Sequence, residues 1–402
     1  MMARPTAADL ELNLSADAQQ RVDWSNWTLP PYNRWAFQHV QELTRTIRVS
    51  RSPQFTELVH EPQELGGLEF TAVTGDISSI DDMLDDTWTD GFLVMHRGKV
   101  VTEQYFNDMQ PDTLHLLMSC SKSLTSAAVG IAVEEGSLEL ARNITDYLPE
   151  LDGSGFSGAT VQQALDMQVG IKFDEDYENL DGEWRDLEVA TCWRPPGKDY
   201  RGPLNMLDYM RGLQADGEHG RDFHYQSVLT DAVGLCLERA VGRRFVDYFC
   251  EKVWHPLGAE HDLVSIVDDA GYPVFEGGFN CSLRDFARFA GMICNGGSIE
   301  GKRIVPAVWI DESRFASDEL TAVFGKSEYA EMMPGHAYHN KWWIRDTRRG
   351  VMMALGIHGQ TLFVDPEREL AIAKFSSQPD HVNPDMTLNQ FHAFEAIAEH
   401  LS

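Results

Sequence analysis

The chain has 402 residues, 43 % of them hydrophobic and 10 % aromatic, enough for a sizeable core and against long disorder. With 33 basic and 63 acidic residues its formal net charge is −30, which repels phosphate and argues against nucleic acid and anionic membranes as partners. The six cysteines (Cys120, Cys192, Cys236, Cys250, Cys281, Cys294) contain no C-x-x-C, and most lie in apolar runs, the pattern of buried thiols.

Residues 1 to about 65 are polar, and Trp24, Trp27 and Trp35 in and around SNWTLPPYNRWAF read as aromatic anchors of a wrapping segment. The stretch MMARPTAADLELNLSADAQQ has no apolar core of signal-peptide length, and no run approaches the ~20 apolar residues of a membrane span, so a soluble cytoplasmic protein is expected. Gly91 to Phe106 alternates around Arg97-Gly98 and predicts a hairpin. HLLMSCSKSLTSAAVG (His115–Gly130) opens a helix rich in small residues that ends near Gly136, hence a buried, central one. Between residues 143 and 265 the pattern is mainly helical, with Thr160 a predicted cap of ATVQQALDMQ, Ser227 of SVLTDAVGLCLERAVG, and Gly242 the stop of the latter. After a helix in SLRDFARFAGMICNGG come three strands, KWWIRD, GIHGQTLFVDP and ELAIAKFSS, and a last helix. Strands at both ends and helices between predict an α/β domain built from residues 1–142 and 266–402, with a mainly helical domain, 143–265, inserted in it. The active site is expected at their interface.

Several motifs fail their context. GSGFSG (Gly153–Gly158) follows no buried strand and so is no dinucleotide loop; HAYH (His336, His339) sits beside Pro334 and Gly335, a predicted loop with no third metal ligand near; no serine stands in a G-x-S-x-G elbow. The S-x-x-K of Ser119 and Lys122 is different, because a helix brings i and i+3 onto one face. By spacing alone it is either a nucleophile and its base or the polar edge of an amphipathic helix. A lysine needs a lowered pKa to act as base near neutral pH, and the apolar neighbours Leu116, Leu117, Met118 and Leu124 are compatible with the burial that lowers it. Tyr225 in DFHYQS could carry a proton, its phenolate stabilised by a nearby Lys⁺, or be a core tyrosine. Gly356 and Gly359 leave the backbone of LGIHGQTL open to close approach, as a second oxyanion donor requires.

Taken together, SCSK, a Y-x-S about a hundred residues on, and a glycine-flanked strand near the C-terminus resemble the serine β-lactamase and penicillin-binding-protein superfamily. The pieces PPYNRWAF, LHLLMSCSKSL, ALDMQVGIKFDEDYEN, FHYQS, GGFNCSLRDFAR, KWW and GIHGQTLFVDP, in this order over nearly the whole chain, are similar to its 6-aminohexanoate-dimer (nylon-oligomer) hydrolase and carboxylesterase branch. The resemblance implies a β-lactamase-like two-domain fold, α/β plus all-α, with an antiparallel sheet flanked by helices. It implies a serine hydrolase that acts through an acyl-enzyme on short carboxylesters and linear amides, without metal or other cofactor, and suggests a homodimer. Ser119 would be the nucleophile, Lys122 the general base and Tyr225 the proton relay. The N–H groups of Ser119 and Ile357 would form the oxyanion hole. Tyr177, Trp343, Glu188, Glu276 and His358 would lie on the substrate side, the two acids either pairing with an ammonium end or sitting solvated on the surface. Two departures stand out. Tyr225-Gln226-Ser227 replaces Y-x-N, and Ile357-His358-Gly359 replaces K-T-G, leaving no lysine there for a β-lactam carboxylate. A β-lactamase or D,D-peptidase-like enzyme, and a catalytically silent binding protein of the same fold, are the rival expectations.

Overall fold

The computed structural model describes residues 4–12, 21–179 and 182–402. In chain order, β1 (Thr46–Val49) and β2 (Val59–His60) precede β3 (Thr89–His96) and β4 (Lys99–Tyr105), the predicted hairpin. Its turn residues Arg97 and Gly98 have φ of 50° and 73°, left-handed at both positions as the tight turns that suit strand twist require. β5 (His115–Leu116) runs through a 3₁₀ turn, Met118–Cys120, into α1 (Ser121–Glu134). The helical stretch that follows includes α2 (Val161–Leu165), α3 (Glu183–Ala190) and α4 (Val228–Val241). β6 (Leu263–Ile266), β7 (Phe279–Cys281) and α5 (Leu283–Cys294) lead back to strands: β8 (Ala337–His339), β9 (Trp342–Asp346), β10 (Val351–Gly356), β11 (Gln360–Asp365) and β12 (Leu370–Ser376). The last helix is α6 (Pro384–Leu401).

Both ends of the chain build one eight-stranded sheet in the order β8-β9-β10-β11-β12-β3-β4-β2. It is antiparallel apart from the short edge strand β2, which runs parallel to β4. The early hairpin joins the late strands where Val94 pairs with Ile372. α5 covers one face, with Phe286 stacked on Phe375, and α6 the other, with Phe394 against Phe92 and Phe363. A four-stranded sheet, β1-β6-β7-β5, holds the segment that enters the Met118–Cys120 turn. No helix among the described residues is long and apolar enough to cross a membrane.

α1 is buried on every side, as its small residues predict. Its hydroxyls therefore need partners inside the protein. Ser123 Oγ donates to the carbonyl of Lys341 (2.8 Å), Ser126 Oγ to that of Asn340 (2.6 Å), and Ser121 Oγ accepts the N–H of Phe279 (3.1 Å). The helix is thus fixed to the β8–β9 turn and to β7. The predicted wrapping segment forms as well: Trp27 stacks on Trp193 (5.3 Å between centroids) and donates to its carbonyl at 2.6 Å, while Trp24 Nε1 donates to the carbonyl of Cys192.

Three local expectations are corrected. GIHGQTLFVDP is not one strand: His358 and Gly359 have φ of 60° and 91°, which reverses the chain between β10 and β11. Ser227 stands at the N-cap of α4, but its hydroxyl caps nothing, because a carboxylate and a lysine engage it. His339 ends strand β8 instead of lying in a loop, and its Nδ1 pairs with Asp166 (2.7 Å).

Gly356, the last residue of β10, abuts the turn that carries Ser119. A Cβ there would lie 2.8 Å from the carbonyl oxygen of Leu117 and 2.9 Å from Met118 Cβ, backbone and near-backbone atoms that cannot swing away. Gly356→Ala is expected to cost about 1–3 kcal/mol of unfolding free energy and to lower kcat more than it raises KM. Urea unfolding and steady-state kinetics on the same preparation check both.

Candidate active site

Ser119 is presented by the Met118–Cys120 turn, in which Met118 takes a left-handed φ of 48°. Lys122, one turn further on and buried to 1 % exposure, brings Nζ to 2.7 Å from Ser119 Oγ. The same nitrogen lies 2.9 Å from Ser227 Oγ and 2.8 Å from the carbonyl oxygen of Glu276. Ser227 comes from the start of α4, and Glu276 from the loop before β7, so Lys122 ties the sheet side of the cleft to the helical side.

Tyr225, two residues before Ser227, lines the same lobe as Ser119. Its ring stacks on Trp343 of β9 (5.3 Å) and lies 5.1 Å from Lys122 Nζ. Burial, followed by the charge of Glu175, holds its phenol well above the ordinary tyrosine range. This favours the protonated phenol, the form in which a proton carrier can donate.

Sequence reasoning missed Glu175. Its Oε1 accepts both the hydroxyl of Ser227 (2.6 Å) and that of Tyr177 (2.6 Å), and its Oε2 accepts the Ser227 N–H. Nothing in FDEDYEN marks which of its acids turns inward except the apolar Phe173 and Tyr177 on the same alternation. Burial, the largest effect, raises the Glu175 carboxyl, opposed by Lys122 and by its hydrogen bonds. Trp193 was missed too. Its Nε1 donates to Glu276 Oε1 at 2.9 Å, so the wrapping segment stacked behind it supports the site.

Neither predicted substrate-side acid is a solvated surface group. Glu276 is 2 % exposed, and its Oε2 lies 3.8 Å from Lys122 Nζ. Burial pushes its carboxyl up to about 7 against the pull of Lys122. Asp231 of α4, wholly buried, accepts the Glu276 N–H and is raised well above the carboxylate range by burial and by Glu276. Glu188 of α3 is 6 % exposed and held through Oε2 by Arg185 (2.7 Å) and Arg194 (2.8 Å). His358 is 1 % exposed, its Nδ1 against the Gln378 carbonyl (2.8 Å), and burial lowers it to about 3, so its ring is neutral.

Around Ser119 open two lobes. The larger, about 680 Å³, is lined by Tyr225, Tyr329, Met332, Trp343 and a polar end that includes Gln360 and Gln390. The smaller, about 430 Å³, is lined by Trp184, Glu188, Trp193, Glu276 and His358. Ser119, Tyr177, Ile357 and His381 border both. The predicted nucleophile, base, proton carrier and Ile357 strand end are therefore together. A buried serine–lysine pair with a protonated phenol and an open cleft can perform acyl transfer.

In comparison with known proteins, the β-lactamase profile matches residues 80–396. The chain belongs to the β-lactamase family. It is 35 % identical over 355 residues, 88 % of each chain, to a 6-aminohexanoate-dimer hydrolase of Paenarthrobacter ureafaciens. A solved Bacillus anthracis structure assigned as a 6-aminohexanoate-dimer hydrolase superposes with a TM-score of 0.88 at 28 % identity, over 96 % of this chain and 99 % of that one. A family VIII carboxylesterase shares the fold, with a TM-score of 0.57 at 18 % identity, over 78 % of this chain and 96 % of that one. Like other β-lactamase-family serine hydrolases, the chain is a hydrolase, and the architecture is the two-domain one expected.

The Glu276 shift sets a pH dependence. A carboxyl raised from 4.5 in the unfolded chain to about 7 in the native one binds more protons when folded across that window. Its contribution is therefore fully present below pH 4.5 and is lost as pH rises through about 7. Glu276→Gln is expected to gain on wild type in unfolding free energy by on the order of 2–3 kcal/mol between pH 5 and 8. Urea midpoints of the two proteins across that range measure it, and parallel pH profiles would refute it.

Proposed function

We propose that the chain hydrolyses short carboxylesters and linear amides through an acyl-enzyme on Ser119, with Lys122 as general base and Tyr225 as proton donor to the leaving group. The observation that carries this is the set of partners around Lys122 Nζ. The one hydrogen of Ser227 Oγ goes to Glu175, so toward Lys122 that oxygen can only accept; the carbonyl of Glu276 can only accept as well. In a neutral amine those two directions take the two N–H bonds, and the lone pair falls toward Ser119 Oγ, 2.7 Å away.

Attack then proceeds with balanced protons. Ser119 Oγ bonds the carbonyl carbon as its hydrogen passes to Lys122. The developing oxyanion is received by the N–H groups of Ser119 and Ile357, the role assigned to this pair. Tyr225 gives its phenolic hydrogen to the departing nitrogen or oxygen as the C–N or C–O bond breaks, and the Lys122 ammonium restores the phenol. In the second half, water attacks the acyl ester, its proton passes to Lys122, and Ser119 leaves with that proton. One water is consumed; an acid and an amine or alcohol are released. The 35 % identity to a 6-aminohexanoate-dimer hydrolase and the esterase fold neighbour support both ester and amide as substrates. Amide cleavage leans harder on Tyr225, since an amine departs only when protonated. Tyr177, which donates to Glu175 and borders both lobes, would contact the scissile group.

Rates on a p-nitrophenyl ester and on a linear amide, with wild type and Ser119→Ala, test the assignment. Both activities are expected to vanish in the variant, and a single acyl adduct to form on Ser119 of wild type under a fluorophosphonate. An active, unlabelled protein would refute it. Lys122→Met is expected to lose about 10²–10⁴-fold in kcat. Glu175→Gln frees Ser227 to turn its hydrogen toward the Lys122 lone pair. It is expected to lower kcat by roughly 10-fold or more, the low end of what a misplaced proton carrier costs, with KM little changed.

A further inference from the structure

The wrapping segment does not line either lobe with Asn33 or Phe37, yet these two residues reach both arms of the proposed oxyanion hole. One arm is β5, which enters the nucleophile turn. There the N–H of Leu116 donates to the carbonyl of Phe37 at 2.9 Å. The other arm is the reversal between β10 and β11 that follows Ile357. His358 holds a left-handed φ of 60° in it. That conformation is costly for a residue with a Cβ and persists only where the surroundings hold it.

Three bonds hold it, and two of them go to Gln378. The N–H of His358 donates to the His381 carbonyl (2.9 Å), and its carbonyl accepts the N–H of Gln378 (3.1 Å). Its Nδ1 lies 2.8 Å from the Gln378 carbonyl oxygen. Burial keeps the ring neutral, and a carbonyl can only accept, so Nδ1 carries the one ring hydrogen. Nε2 is then a bare lone pair, buried and without a partner among the described residues. The ring gives its donor to the protein and presents none to the smaller lobe.

The Gln378 carbonyl has a second donor. Asn33, wholly buried at the start of the one-turn helix Asn33–Ala36, directs Nδ2 to it at 3.0 Å and to the Ser377 carbonyl at 3.4 Å. Arg34 donates Nη1 to Ser377 Oγ (3.1 Å). Phe37 sets its ring edge-on to the His358 imidazole, 5.3 Å between centroids. One helical turn thus holds the Gln378 carbonyl at its start and the nucleophile strand at its end.

We infer that Asn33 is a positioning residue of the reaction. By fixing the Gln378 carbonyl, and through it the His358 turn, it sets the place of the Ile357 N–H relative to that of Ser119, which rests on the oxyanion role proposed above for those two groups. His358 accordingly supports the turn, in place of the ligand contact expected of it.

The test measures kcat and KM on a p-nitrophenyl ester and the affinity for phenylboronic acid, whose tetrahedral adduct on Ser119 puts an oxygen where the oxyanion forms. The proteins are wild type, Asn33→Ala, Asn33→Leu, His358→Gly, His358→Asn and the double variant Asn33→Ala/His358→Gly. Rates are expressed per Ser119 titrated to completion with a fluorophosphonate, so that unfolded protein does not count. Glycine takes the left-handed turn without strain, so His358→Gly removes the ring and its bond and leaves the turn possible. The Asn33 variants and His358→Gly are each expected to lower kcat by about 10–100-fold, the scale of a displaced oxyanion donor. They are expected to weaken the boronic acid by a similar factor and to leave KM little changed. His358→Asn tolerates the turn and restores an N–H donor, and is expected to recover most of the loss. Because both residues act on one carbonyl, the double variant is expected to fall little below the worse single one. Wild-type kcat per titrated site in either Asn33 variant, a raised KM in place of a lowered kcat in His358→Gly, or losses that multiply in the double variant would overturn the inference and leave the hydrolase assignment standing. So would a failure of both Asn33 variants to give any titratable protein, which would make Asn33 a folding residue only. Failure of wild type to be labelled or to bind the boronic acid, or equal cleavage by Ser119→Ala, would instead remove the assignment and the inference with it.

Discussion

Lys122 Nζ is the point on which the site turns. Its three oxygen partners come from three separate pieces of chain: the turn before α1, the start of α4 and the loop before β7. No local propensity could gather them. They meet because α1 is sealed inside the protein, with its serine hydroxyls committed to the β8–β9 turn and to β7, and because α4 packs directly against it. A lysine at this depth cannot let Nζ reach water; it must satisfy its hydrogen bonds from what the fold provides. The same demand that makes its burial costly therefore fixes its direction. Two partners that can only accept leave one direction for the serine.

Three carboxyl groups surround that lysine, and the fold treats each differently. Glu175 is tied by two hydroxyls and a backbone N–H, the bonding that sustains a buried charge. Glu276 has the indole of Trp193 on one oxygen and Lys122 near the other, and titrates near neutrality. Asp231 has only the Glu276 N–H on one oxygen, with Oδ2 unpartnered among the described residues, and is pushed well toward its protonated form. Like charges so close oppose one another's ionisation, and hydrogen-bond donors on a carboxylate oppose that effect. The N-terminal segment contributes here as well. Without Trp27 stacked behind it, Trp193 would have no fixed plane from which to hold Glu276.

Much of this was legible in the sequence where the information is local. Alternation around Arg97-Gly98 gave the hairpin; the small-residue run gave a buried helix; the S-x-x-K spacing put Ser119 and Lys122 within reach of each other. What escaped depended on contacts between distant parts of the chain. Glu175 looks like any acid in an acidic loop until Ser227, 52 positions later, comes to meet it. Ser227 looks like a helix cap, since the rule that places serine there cannot see a carboxylate competing for its hydroxyl. The strand assigned across Ile357 failed because His358 adopts a left-handed conformation that glycine would advertise and histidine does not.

Glu188 shows how the same residue can mean opposite things. As a letter in the sequence it is an acid near the substrate, and an acid there invites an ammonium. Arg185, three positions earlier on the same helix, was a visible partner by spacing, but Arg194 reaches it only after the chain turns at the end of α3, where the backbone N–H groups of Trp193 and Arg194 both bond the Glu188 carbonyl. That turn also aims the Trp193 indole at Glu276, so one reversal of the chain sets a partner beside each acid of the smaller lobe. Their count is therefore no guide to what the lobe binds. The charge a ligand meets is the acid together with whatever the fold has already placed against it.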